Sequence, residues 1–195
     1  SHADLTQHYS AVAQEMREVA KALGAESLRE VSSRQLMLAM KELRGRVGDR
    51  AILRAFHFLA DNERVSSQVD ALERGDFEQF LRLVRESGRS SWMLCQNVYP
   101  LERPQEQGLS LALTVTERIL KGKGACRVHG GGFAGTILAF VPRDFTAEYV
   151  GKMNDLFGED AARPLRTRSP GAAEIITRAA GTKEKITQRR RGAKE

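Results

Sequence analysis

The segment Gly124-Ala125-Cys126-Arg127-Val128-His129-Gly130-Gly131-Gly132-Phe133-Ala134-Gly135-Thr136-Ile137-Leu138-Ala139-Phe140-Val141 decides how the rest of the chain is read. Its glycines satisfy the spacing GxGxxG, the pattern of a dinucleotide-binding turn. That turn works only if a helix starts at the glycines, so that free amides and the helix dipole face a pyrophosphate. Here the glycines lead into Thr136 to Val141, a β-branched, apolar run that predicts a strand buried on both faces. Ala125 to His129 alternates as a strand would and places His129 as a half-buried strand histidine. The segment is therefore strand, glycine loop, strand. Either the glycines make a tight connection with positive φ, or they let the backbone approach something closely.

Upstream of this segment the chain reads as helices. Leu5, Tyr9, Val12, Met16, Val19 and Leu23 recur at steps of three and four, predicting a helix over Asp4 to Leu23 stopped by Gly24. Leu36, Met40 and Leu43 predict a shorter one ending at Gly45. From Asp49, the positions Ile52, Phe56, Leu59, Val65, Val69 and Leu72 predict about 25 residues of helix closed by Gly75. Asp76 is placed to cap the next helix, through Phe77, Phe80, Leu81 and Val84. Ser90 to Pro104 has no period and reads as a long loop, and a helix resumes through Leu109 to Leu120. Downstream, Thr146 is placed to cap a helix ending at Gly158, and Ala173 to Thr177 is a weaker strand candidate. Helices first and strands later give an α+β fold, an antiparallel sheet packed with helices, rather than a βαβ array.

The 195 residues suffice for a domain with a real core, and 41% apolar content is that of a globular protein. No apolar run is long enough to span a membrane and no signal segment is present, so no membrane partner is expected. Cys95 and Cys126 supply neither a disulfide framework nor, with four scattered histidines, a zinc spacing, which points to a reducing cytoplasm and no metal ligands. Net charge is +6, but Arg178 to Glu195 carries +5 of it and the body only +1. With aromatics at 6% and no basic stripe, nucleic acid is not an expected partner. The tail reads as a solvated, disordered extension. Glu15, Glu18, Glu42 and Glu73 read as solvated helix faces rather than acid–base pairs, and no nucleophile with a nearby base is assigned.

Gly124 to Ile137 resembles the third conserved motif of the GHMP small-molecule kinases, most closely the galactokinase form G-A-R-M-T-G-x-G-F-G-G. Ser1 to Thr6 with Tyr9, and Glu18-Val19-Ala20-Lys21-Ala22-Leu23-Gly24, resemble that family's H-S-L-x-x-S-x-Y and E-E-V-A-x-x-L-G. Ser27-Leu28-Arg29-Glu30-Val31 resembles its S-L-R-E-V, and Arg54-Ala55-Phe56-His57 its R-A-x-H. Asn62-Glu63-Arg64-Val65 and Leu72-Glu73-Arg74-Gly75-Asp76-Phe77 resemble two further blocks. The family's G-R-V-N-L-I-G-E-H-T-D-Y segment, G-L-S-S-S-A phosphate loop and G-x-x-D-Q aspartate have no counterpart. The resemblance thus implies the C-terminal part only of a galactokinase-like enzyme, with the fold of the GHMP kinase C-terminal domain.

The resemblance implies a domain over residues 1–160, an uncertain closing-strand region over 161–177 and the basic tail over 178–195. In the intact enzyme it implies transfer of the γ-phosphoryl group of ATP, with Mg, to the anomeric hydroxyl of galactose. It implies Tyr9 as the sugar-contacting tyrosine and Gly130, Gly131, Gly132, Phe133 and Gly135 as the third-motif loop, with no catalytic residue in this part. His129 stands where many members have Thr. Galactose and ATP would be engaged through a missing N-terminal domain, the isolated chain would be inactive, and its uncovered domain interface would favour self-association. The alternative is a non-catalytic sugar-sensing or interaction module on the same fold.

Overall fold

A computed structural model describes residues 5–133 and 135–166. They fall in a compact unit, Ser1–Ala162, and at the start of a second, Arg163–Glu195, whose described residues contain no helix or strand. The expected strand at Ala173 to Thr177 and the basic tail lie outside the described residues, as do Asp4 and Ala134.

Helix α1 (Thr6–Ala22) buries Val19 and Ala20, and Gly24 beyond it takes a positive φ. Where one helix was expected around Leu36 to Leu43 there are two, α2 (Ser33–Leu38) and α3 (Met40–Arg46), meeting at Ala39. Ser32 closes a capping box with Gln35 at the start of α2. Helix α4 (Asp49–Glu73) has the expected length, but Val65, Val69 and Leu72 are about half exposed. Their spacing marked a helix face that is not the buried one: α4 buries Ala51, Ile52, Arg54, Ala55, His57, Leu59 and Ala71. Ala51, Ile52, Ala55 and Leu59 of that face, with Val19, Ala20, Leu28, Val31, Leu36 and Leu43, form the larger core.

Asp76 caps α5 (Phe77–Ser90) as expected, its Oδ1 accepting from the Gln79 amide at 3.0 Å. The loop expected from Ser90 is in part helical, because α5 passes directly into a π-helical turn, Ser91–Cys95, that ends on Gln96 in the left-handed region. After an irregular stretch, α6 (Gly108–Leu120) leads into β1 (Ala125–His129), which pairs antiparallel with β2 (Thr136–Phe140). The register sets Ala125 opposite Phe140 and His129 opposite Thr136. These are the two strands of the sheet among the described residues, so the architecture is α+β. Strand β2 stops before Val141. It is half-buried with Thr136 exposed, not buried on both faces, since this sheet has two strands. His129 at the end of β1 is likewise exposed.

Helix α7 (Thr146–Phe157) differs at its start. Thr146 does not cap it: a 3-10 turn, Arg143–Phe145, runs straight into the helix and the Thr146 hydroxyl donates back to Pro142 O at 3.0 Å. Two smaller cores flank the hairpin, one of Val98, Leu113, Cys126 and Val128 and one of Leu120, Tyr149 and Met153.

Candidate functional site

The glycine loop joins β1 to β2, and its backbone needs its composition. Gly130 and Gly132 have φ of 69° and 88°, and Phe133 sits at 57°, where a side chain costs about 1–2 kcal/mol. Burial offsets that cost. Phe133 is 4% exposed, its ring edge-on to Tyr9 with centroids 5.5 Å apart and 5.2 Å from that of His8. His8 in turn lies 3.1 Å from a carboxylate oxygen of Glu102.

Two side chains hold the loop from distant parts of the sequence. The Tyr9 hydroxyl donates to Gly132 O at 3.1 Å, and Asn97 Nδ2 donates to Gly131 O at 3.2 Å. The Phe133 amide donates to Asn97 O at 2.5 Å, and Gly135 N closes the turn on Gly132 O at 3.0 Å. The approach is too close for any side chain at the two central positions. A Cβ on Gly131 would lie 2.5 Å from the Tyr9 ring, and one on Gly132 would run into the Asn97 carbonyl oxygen. Both readings of the glycines hold together: positive φ, and close approach to the chain's own Tyr9 and Asn97.

Helix α1 is fixed beneath Tyr9 by charge. Glu15, expected on a solvated face, accepts from Arg50 and lies 2.8 Å from Arg54 Nη1. Arg54 is 3% exposed, and its Nε donates to Cys95 O at 3.1 Å, two residues before Asn97. A buried arginine holds its charge only with such partners. One turn along α4, His57 Nδ1 lies 3.0 Å from Ser90 Oγ, and Ser87 Oγ donates to Asp61 Oδ1 at 2.6 Å. Burial holds the His57 imidazole below its ordinary value. Arg54 and His57, the two polar residues of the R-A-x-H resemblance, thus join helices rather than line the loop. Burial pushes the Cys95 thiol up to about 11 and that of Cys126 to about 12, so neither is a nucleophile at neutral pH.

Of the residues singled out by sequence, Tyr9, Gly131, Gly132 and Phe133 come together, Gly135 closes the turn, and Gly130 supplies a bend with no neighbour against its Cβ position. Asn97 and Ser91 were missed, because both lie in or beside the stretch without period. Concavities of about 480 Å³ between α6 and α7 and about 210 Å³ beside Gly124 are lined by no loop residue. Among the described residues, no group of three or more His, Cys, Asp or Glu is placed to hold a metal ion, and no helix is long and apolar enough to cross a membrane.

No protein-family model matches the chain. Among curated proteins, the galactokinase of Mannheimia succiniciproducens is 30% identical over 141 residues, 72% of this chain and 34% of that protein. Human galactokinase is 30% identical over 172 residues, 88% of this chain and 41% of that protein. The galactokinase of Canis lupus familiaris is 33% identical over 156 residues, 80% and 36% respectively. Among solved structures, Lactococcus lactis galactokinase complexed with galactose superposes with a TM-score of 0.57 at 25% identity, covering 73% of this chain and 35% of that one. The chain spans a third to two fifths of the length of the curated relatives it matches. By sequence and by fold together, this chain belongs with the galactokinases, over their C-terminal part.

Proposed function

We propose that this chain is the C-terminal domain, residues 1–160, of a cytoplasmic galactokinase-type sugar kinase that transfers the γ-phosphoryl group of ATP to the anomeric hydroxyl of galactose. The observation that carries the reading is the joining of Tyr9 to the glycine loop at Gly132, two elements that the family resemblance implies for the sugar and phosphate ends of one site. Phosphoryl transfer depends mostly on positioning and charge stabilisation, and a rigid backbone loop is a fitting contribution to it. The described residues do not themselves fit a magnesium nucleotide. They hold no carboxylate cluster for the metal, and Gly131 and Gly132 face Tyr9 and Asn97 rather than an open cradle. On this reading, ATP and Mg are held by the rest of the enzyme.

Alone, the chain is then inactive and binds neither galactose nor Mg-ATP tightly, since a few contacts cannot offset the freedom lost on binding. Its exposed Leu38, Met93, Leu101 and Leu156 would favour self-association. Calorimetry with galactose and with Mg-ATP, alongside light scattering, tests this: micromolar affinity in a clean monomer would refute the domain reading. The kinase itself is tested on the polypeptide encoded together with the sequence preceding Ser1. Galactose-dependent ADP release supports the reading, whereas galactose binding without phosphorylation would identify a sugar sensor instead.

A further inference from the structure

We propose that Asn97 is a positioning residue whose side-chain amide, oriented by Ser91, sets the shape of the glycine loop. Asn97 is 7% exposed and Ser91 2%. The Ser91 hydroxyl donates to Asn97 Oδ1 at 2.7 Å, which turns Nδ2 toward Gly131 O, 3.2 Å away. A carbonyl oxygen can only accept, so the group facing Gly131 must carry a proton. Shape alone does not meet that need: aspartate has the outline of asparagine but, when ionised, would set oxygen against oxygen. The Phe133 amide bonds the main-chain oxygen of Asn97, an atom that every substitution at 97 keeps, so the variants below remove only side-chain groups. Arg54 binding Cys95 O anchors the segment from behind.

The distinguishing variant is Asn97→Asp in the full chain. Its carboxyl, buried and facing a carbonyl, has a raised pKa, and its protonated form restores a donor to Gly131 O. Hydrogen exchange of the Gly131, Gly132 and Phe133 amides is measured relative to wild type at each pH, with the thermal midpoint. At about pH 8, Asn97→Asp is expected to lose protection in the loop by about tenfold and to melt below wild type, with both deficits shrinking toward pH 5. Asn97→Ala is expected to show the loss without the recovery. Ser91→Ala, a milder change, is expected to loosen the same amides about threefold while α1 and α4 stay protected. Wild-type protection in Asn97→Asp at pH 8, deficits equal to those of Asn97→Ala at every pH, or an unaltered loop in Ser91→Ala would each overturn the proposal. The role bears on turnover only through the kinase reading. If the longer polypeptide that includes the sequence preceding Ser1 fails to phosphorylate galactose, that reading falls while the exchange measurements on this chain still decide Asn97. In an active enzyme, Asn97→Asp should lower kcat with recovery at acid pH and leave the KM for galactose nearly unchanged.

Discussion

Two glycines in one loop offer a controlled comparison. Gly130 and Gly132 both have positive φ, 69° and 88°, but a Cβ at Gly130 meets nothing within 4 Å, whereas one at Gly132 strikes the Asn97 carbonyl and lies 2.8 Å from its side-chain nitrogen. Gly130→Ala should therefore carry the left-handed penalty alone, about 1–2 kcal/mol. Gly132→Ala carries the same penalty and also displaces Asn97, breaking the bonds to Phe133 N and Gly131 O. At about 1 kcal/mol each, the total is roughly 3–4 kcal/mol. For a unit of this size a kilocalorie moves the midpoint by about 2–4 °C, so Gly130→Ala should melt about 2–8 °C low and Gly132→Ala about 6–16 °C low. Calorimetry or circular dichroism of the two variants measured together decides. Equal falls, or a larger fall for Gly130→Ala, would mean that Asn97 yields freely and that close packing against the loop has been misjudged.

Three other outcomes are expected. Glu15→Ala leaves the guanidinium of Arg54, 3% exposed, without its carboxylate and should cost about 3–5 kcal/mol in urea unfolding, more than an exposed pair such as Arg44–Asp49 would. Because burial lowers the His57 pKa, the unfolded chain takes up a proton there before the folded chain does. Stability should fall with pH below about 6.5, by up to about 1.4 kcal/mol per unit, and His57→Gln should flatten that slope in denaturation series; identical slopes would remove His57 as the cause. Finally, with both thiols buried and their pKa values raised, Cys95 and Cys126 should react with a disulfide reagent at about pH 8 only slowly until denaturant is added, and fast labelling of the native chain would contradict the burial.

The sequence made lengths and boundaries legible where a local chemical signal existed. Asp76 followed by Phe77 marks the start of α5 because the capping oxygen and the amide it accepts are three residues apart. Faces were harder to read. Val65, Val69 and Leu72 repeat as a buried stripe would, yet the seam between α4 and α5 is made by His57, Asp61, Ser87 and Ser90, polar residues that bury by satisfying one another. The π-turn at Ser91 hid for a related reason, since a wider turn breaks the 3.6-residue period by which a helix is recognised. In the candidate site the density of glycines drew the eye to the loop, and family resemblance to Tyr9. Nothing local distinguishes Asn97 from other polar residues between helices, because what makes it matter is a carbonyl 34 positions away.

The hydrogen bond from Tyr9 to Gly132 closes a span of 123 positions, and this bears on synthesis as well as on the finished molecule. Closing that span costs about 1 kcal/mol more chain entropy than closing the 34 positions from Asn97 to Gly131. On the ribosome, α1 can settle against α4 once Glu73 has emerged, whereas the partner of Tyr9 does not yet exist. At about 5–20 residues per second, Tyr9 waits roughly 6–25 s for Gly132 to be made. Throughout that interval an aromatic ring that the folded domain half buries stands open on the nascent chain, offered to a chaperone or to a neighbouring polypeptide.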